Sequence, residues 1–415
     1  MRHTIKEISE TLFGWLATLL RGDSSYFPEE IKNWSDKEWE VAKTIVFVHG
    51  MGPLWGKECS RGLGCQEIPD EFRDYLIQQY HQNGLRIQKI RECYERITQG
   101  LSRKKTRFVP FKGIELAFNV YPDPATRPMA DIDLYLDSKD KDLIDDILTE
   151  GGFTPVAITE SGATYYPGEW IDKQKNMFRL NPTNMDINNE LYAGENENSP
   201  FGIDVHFEIK ILALRDLTCA FESARLESGK LADTEHFIYL LVHAAKHFMN
   251  RGGRWLHLYD IYLFEKKHKL DYQLIVKKAV EWRVAHLLLI SLSLCEHYFS
   301  SFHQLKALLY AEVGWRHKLL VNNLQLSEMS CCNPWPVSPF AQFIWVHSFV
   351  DGFALLAAFK NRKKNTQVRE GKSLSSIPWA GARLLTIINR LIQKKPREVW
   401  SIMAAHDLSP KQDWK

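Results

Sequence analysis

FVPFKGIELAFNVYPDPATRPMADIDLYL, residues 108–136, is the stretch on which the reading of this chain turns. Phe108 to Phe111 is an apolar run suited to a buried strand, and Lys112-Gly113 breaks it where a strand-to-helix turn fits. Ile114, Ala117, Phe118 and Tyr121 recur at helical spacing, so one face of a short helix can pack on a sheet. Pro122, Pro124 and Pro128 stop that helix, because proline lacks the backbone N–H and fixes φ. In DIDLYL, Asp131 and Asp133 alternate with Ile132, Leu134 and Leu136. A strand has period two, so both carboxylates point to one face and the aliphatic side chains to the core.

Two carboxylates side by side on one strand repel each other, and they stay ionised at low cost only with water or a cation between them. Oxygen donors of this kind suit Mg²⁺ or Mn²⁺, which bind through one or two carboxylates together with substrate phosphates. A glycine at a helix start lets backbone N–H groups approach an anion, which the helix dipole also favours. Lys112 and Arg127 add positive charge near the same edge. These parts converge on a phosphate-and-metal site.

The KG turn, followed by an arm that ends in RPMADIDLYL, resembles the nucleotide-binding core of the DNA polymerase β-like nucleotidyltransferases. Within them it is similar to a bacterial family of uncharacterised nucleotidyltransferases with the pattern "LKG…LY.d…R..sDiDllv" and, later, an acidic strand before a His. Here those parts are Phe111-Lys112-Gly113, Tyr121-Pro122-Asp123, Arg127, Asp131-Ile132-Asp133 and Ile203-Asp204-Val205-His206. The resemblance runs over residues 68–210, and it carries one departure: the superfamily's usual Gly-Gly or Gly-Ser pair is Lys-Gly, as in the closer family. It implies an α/β core with a mixed sheet, flanked by helical regions. The reaction it implies is transfer of a nucleoside monophosphate from an NTP to a hydroxyl or other nucleophile, with release of pyrophosphate. Asp131 and Asp133 would bridge two Mg²⁺ ions, with Asp204 joining one of them. Lys112 and the Gly113 N–H would hold the β- and γ-phosphates, and Arg127 would offset charge on the leaving pyrophosphate.

Outward from this core the chain reads as a helical region at 1–100, the nucleotidyltransferase core at 101–210 and a helical region at 211–415. A net charge of +2 carries no global signature of nucleic-acid binding, and seven scattered cysteines fit a reducing cytoplasm better than a disulfide framework. Near the N-terminus Ile5, Ile8, Leu12, Trp15, Leu16 and Leu19 line one side of an amphipathic helix. Glu7 and Glu10 interrupt what would be a signal peptide, so the expectation is a packed helix, with membrane-surface attachment as the alternative. TIVFVHGMGPLW, residues 44–55, is an apolar run ending in His-Gly; an α/β-hydrolase would also need a G-x-S-x-G elbow, which the chain lacks. Pro69 to Leu101 is patterned as one or two long helices.

Beyond Asp133, Ser138 is the expected N-cap of a helix from Lys139 to Glu150, which Gly151-Gly152 ends. Phe153–Ile158, Ala163–Tyr166 and Asn176–Leu180 read as strands, and 181–200 as a polar surface loop. In FGIDVHFEIK, Ile203, Val205, Phe207 and Ile209 face one way and Asp204, His206 and Glu208 the other. Asp204 is the candidate third carboxylate and Glu208 its substitute. His206 either orients Asp204, touches substrate or simply lies on an exposed strand face.

The remainder is helical. His243 and His247, four apart and so on one face, with Asp260 beyond them, are open to metal ligation, a cleft-lining role or ordinary packing. The related nucleotidyltransferases show a similar H…H…D stretch, which places this helix beside the active cleft. Residues 339–359 are apolar and a basic run follows, which would permit a membrane span. Gln342, His347 and Asp351 favour a buried helix instead, with peripheral membrane contact through 339–364 as the alternative. Lys360 to Arg397 is basic enough for a solvated face, an anionic lipid or an acidic substrate. Two further readings of the whole chain stand beside the enzyme: a catalytically inactive nucleotide-binding or scaffold protein, and a membrane-associated biosynthetic accessory protein. The sequence selects neither the NTP nor the acceptor, which superfamily precedent puts among small molecules, proteins and RNA.

Overall fold

The computed structural model describes residues 3–351 apart from 66, 170–196, 212–214, 250, 323, 331, 334–344 and 349–350. The expected strand at Asn176–Leu180 and most of 339–364 therefore lie outside the described residues. No described helix is long and apolar enough to cross a membrane. Asp351, one of the polar residues in that apolar stretch, is paired with Arg215 at 2.8 Å.

Helix α1 (Ile5–Leu20) begins at a capping box, in which Thr4 Oγ1 accepts from Glu7 N at 3.2 Å and Glu7 accepts from Thr4 N at 2.7 Å. All six apolar residues of its expected face are buried. Helix α2 (Asp36–Val48) and helix α3 (Gly52–Ser60) take up the His-Gly segment. His49 between them is buried and structural: its Nδ1 accepts from Trp255 N at 3.0 Å, and its Nε2 lies 3.3 Å from Cys332 Sγ.

A single helix, α4 (Asp70–Arg103), spans what the sequence leaves as one or two. At 1.5 Å per residue it is about 50 Å long, enough to serve two cores. Phe72 and Leu76 join a large core built from both ends of the described chain, whereas Ile87, Ile90, Cys93, Ile97 and Leu101 join the core of the sheet.

The sheet comprises β1 (Phe108–Phe111), β2 (Asp131–Leu136), β3 (Phe153–Ile158), β4 (Gly162–Pro167) and β5 (Gly202–His206), in the order β1-β2-β5-β4-β3. It is mixed: β2 and β5 are parallel and the other pairs antiparallel. Ile132, Leu134 and Leu136 pack in the sheet's own core with α4, with α5 (Gly113–Asn119) and with α6 (Lys141–Glu150). Tyr135 and Phe111 instead join the large helical core, so the face that carries Asp131 and Asp133 is turned toward the C-terminal helices. Those helices are α7 (Thr218–Ser223), α8 (Asp233–Met249), α9 (Trp255–Lys267), α10 (Tyr272–Glu281), α11 (Ala285–Phe299), α12 (His303–Glu312) and α13 (Trp315–Val321).

Two local expectations are corrected. Asp137 accepts from Lys139 N and caps a 3₁₀ turn at Ser138–Asp140, and Asp140 stands at the N-cap of α6. This turn delays the α-helix to Lys141, so Ser138 is not the N-cap. Strand β5 ends at His206, and Glu208 lies beyond it, bound to Lys210 at 2.5 Å. Losing the strand's period removes Glu208 from the carboxylate face, so it does not substitute for Asp204.

Candidate active site

Strands β2 and β5 pair in register, with Asp131 opposite Gly202, Asp133 opposite Asp204 and Tyr135 opposite His206. In-register parallel neighbours stand about 4.8 Å apart and show matching side chains on the same face. Asp131, Asp133, Asp204 and His206 are thereby brought together, and donor atoms of Asp133, Asp204 and His206 all lie within 4.8 Å of one another. The register converts two separate sequence motifs into one oxygen-rich donor set.

Asp133 is the most enclosed member, 2 % exposed. Its Oδ1 accepts from Lys112 Nζ at 2.6 Å and lies 3.0 Å from His206 Nε2. His206 therefore orients Asp133, not the Asp204 on its own strand. Burial alone would raise the Asp133 carboxyl, but Lys112 and His206 more than offset it and hold the group below its ordinary value. Asp131 behaves oppositely: burial first, then the charge of Asp133, push it up to about 7, with Lys112 pulling against them. Burial acts to lower Lys112, yet Asp133 beside it pushes the ammonium well above the ordinary lysine value. The site thus carries carboxylates whose repulsion one lysine only partly relieves, which is the condition a divalent cation would answer.

Lys112 reaches Asp133 through an unusual backbone. Its φ of 54° and ψ of −128° lie in the left-handed half of conformational space, where glycine is at home. The lysine is held there at a backbone cost of about 1–3 kcal/mol. Gly113 next to it is required by packing. A Cβ there would sit 2.9 Å from Arg127 Nη1 and 3.3 Å from the Met129 sulfur.

Arg127 is buried and committed to Asp260 of α9 by a two-pronged pair, Nε to Oδ1 at 2.9 Å and Nη2 to Oδ2 at 2.8 Å. The Tyr121 hydroxyl donates to the same Asp260 at 2.8 Å. Burial opposes the arginine's charge and Asp260 more than restores it, so Arg127 is pushed above its already high value. Asp260 is thus the bolt between sheet and helices. The third group beside His243 and His247 is His257, and nitrogen atoms of these three lie within 4.8 Å of one another.

Several residues of the site are missed by sequence reasoning. His257 stands three before Asp260 on the same helix, and Tyr239 stands four before His243, so helical spacing held a signal for both. Tyr239 packs on Phe111, next to Lys112, with ring centroids 5.5 Å apart. Tyr166 approaches the carboxylates across β4: a Cβ at Gly202, opposite Asp131, would meet its ring at 3.2 Å. Arg86 of α4 is buried and donates to the carbonyls of Met129, Ser199 and Pro200, which tethers the entries to β2 and β5. Neither Tyr166 nor Arg86 had a local signal.

A family model described as an uncharacterised nucleotidyltransferase matches residues 35–300. No curated protein and no solved structure matches the chain.

Proposed function

The chain therefore belongs to this family of nucleotidyltransferases, and from that membership we propose that it transfers a nucleoside monophosphate from an NTP to a nucleophilic acceptor at Asp131, Asp133 and Asp204. The observation that carries the reading is the register that sets Asp133 against Asp204 with Asp131 one strand period away. These three carboxylates would hold Mg²⁺ or Mn²⁺. When bound, such ions supply Lewis-acid charge at the phosphates and lower the acceptor's pKa.

The chain's own side chains account for the rest of the chemistry. Lys112 is the fully ionised cation on the carboxylate face, and it is the charge that meets an incoming phosphate there. His206 keeps Asp133 in one orientation. Gly113 leaves the start of α5 without a side chain, beside the Arg127 guanidinium. Arg127 acts chiefly by holding Asp260 and so closing the helices over the sheet.

The test is thermal unfolding of the full chain with each of the four NTPs, with and without Mg²⁺, beside Asp131→Asn/Asp133→Asn. A ligand present at 100 times its Kd adds about 2.7 kcal/mol. The expected result is a Mg²⁺-dependent gain with at least one NTP that the double variant loses, followed by transfer of label from that NTP's α-phosphate. No gain with any NTP, or a Mg²⁺-dependent gain that survives in the folded double variant, would overturn the proposal and favour a scaffold.

A further inference from the structure

Next to the carboxylate face lies a cluster of three histidines that the transfer chemistry does not use. His243 and His247 sit one turn apart on α8 with ring centroids 4.6 Å apart, and His257 of α9 stacks on His247 at 4.7 Å. Tyr239, one turn earlier on α8, packs on His243 at 6.1 Å and on Phe111, next to Lys112, at 5.5 Å, so the cluster adjoins the site. All three rings are half-buried.

Three imidazoles in reach of one another invite a transition metal, but two observations point the other way. His257 Nδ1 accepts a hydrogen bond from Arg254 N at 3.2 Å. A neutral ring that accepts at Nδ1 carries its proton at Nε2, so His257 offers a donor where a metal needs a lone pair. The second is charge. The ionised side chains acting most strongly on the three rings are Lys112, Lys246 and Arg254, with Arg127 behind them; Lys112 and Arg127 are each paired with a carboxylate, Asp133 and Asp260, which leaves Lys246 and Arg254 as the cations on the cluster's own segments. Burial first, and then these cations, lower the three imidazoles, His247 to about 4, which leaves them neutral groups able to donate. At the rings themselves, Lys246 and Arg254 favour an anion over a divalent cation.

We propose that His243, His247 and His257, with Lys112 and Arg254, form a phosphate-binding wall of the cleft. This deepens, and rests on, the nucleotidyltransferase reading. The chemistry it recognises is a phosphate-rich anion, from either the triphosphate of the donor NTP or a phosphorylated acceptor.

Isothermal titration of the full chain in EDTA with tripolyphosphate, ATP and AMP tests it. Wild type binds tripolyphosphate, and His247→Gln/His257→Asn weakens that binding by at least about tenfold, the order expected when even one of the two replaced imidazoles gives up a hydrogen bond to a charged group. Arg254→Gln, at an exposed position, weakens it in the same direction and serves if the histidine variant does not fold. If ATP competes with tripolyphosphate and loses affinity in the variants while AMP does not, the donor's triphosphate occupies the wall. If ATP and tripolyphosphate bind together and only the latter weakens, an acceptor phosphate does. Tripolyphosphate binding unchanged in the folded variants overturns the proposal, as does stoichiometric Zn²⁺ binding that the histidine variant abolishes. Asp131→Asn/Asp133→Asn removes two anions beside Lys112 and should bind tripolyphosphate in EDTA at least as tightly as wild type, so a failure of the carboxylate reading is distinguishable from a failure of this one.

Discussion

Replacing Asp131 with asparagine should stabilise the metal-free protein while destroying its response to Mg²⁺ and nucleotide. The side chain keeps its shape and loses only its charge. Burial, then the charge of Asp133, raise the folded carboxyl from an ordinary 3.8 to about 7. Across that window the native state holds a proton that the unfolded chain has released. The stability tied to this group is therefore full below pH 4, declines from there and is lost as pH rises through about 7. A displacement of that size corresponds to at most roughly 4 kcal/mol, at 1.36 kcal/mol per pH unit, and relaxation of the site brings the expectation to about 2–4 kcal/mol. At roughly 2 °C per kcal/mol for a chain of this size, Asp131→Asn should melt about 4–8 °C above wild type at pH 8 in EDTA. At pH 5 the gap should shrink to less than roughly half, because the wild-type carboxyl is then protonated when folded. With millimolar Mg²⁺ and NTP, wild type should recover the difference and the variant should not. Scanning calorimetry or dye-monitored melting at the two pH values measures all of this. A variant no more stable than wild type at pH 8, or a gap independent of pH, would refute the claim that Asp131 is held under charge repulsion.

Arg127→Ala should cost about 3–5 kcal/mol in urea unfolding, because it leaves Asp260 buried without its charge partner. Arg127→Leu/Asp260→Leu, which removes both charges, should recover much of that loss; an unchanged deficit would mean that packing rather than charge joins sheet to helices. Lys112→Gly relieves the left-handed backbone but strips Asp133 of its ammonium, and since the buried pair outweighs about 1–3 kcal/mol of strain, the variant should be less stable than wild type. A more stable Lys112→Gly protein would show that the strain dominates. Gly113→Ala drives a methyl against Arg127 and Met129 and should cost about 1–3 kcal/mol, read from the same urea curves, with the loss reduced when Arg127 is also replaced by Ala.

The sheet and its two aspartates were legible along the chain because a strand's alternation is a property of its own covalent geometry. Asp131, Ile132, Asp133 and Leu134 declare their faces with no reference to any other segment. The same holds for α1, whose apolar stripe follows from 3.6 residues per turn, and for the break at Lys112-Gly113. What sequence alone could not determine is which face meets which. Asp204 becomes the neighbour of Asp133 only because β5 pairs with β2 in one particular register. Arg127 spends two of its nitrogens on Asp260, 133 residues away, and His257 replaces Asp260 beside His243 and His247. Periodicity assigns each side chain a direction within its own element. Its partner is chosen when elements distant in the chain pack together, by burial and by the need to pair every charge that burial removes from water.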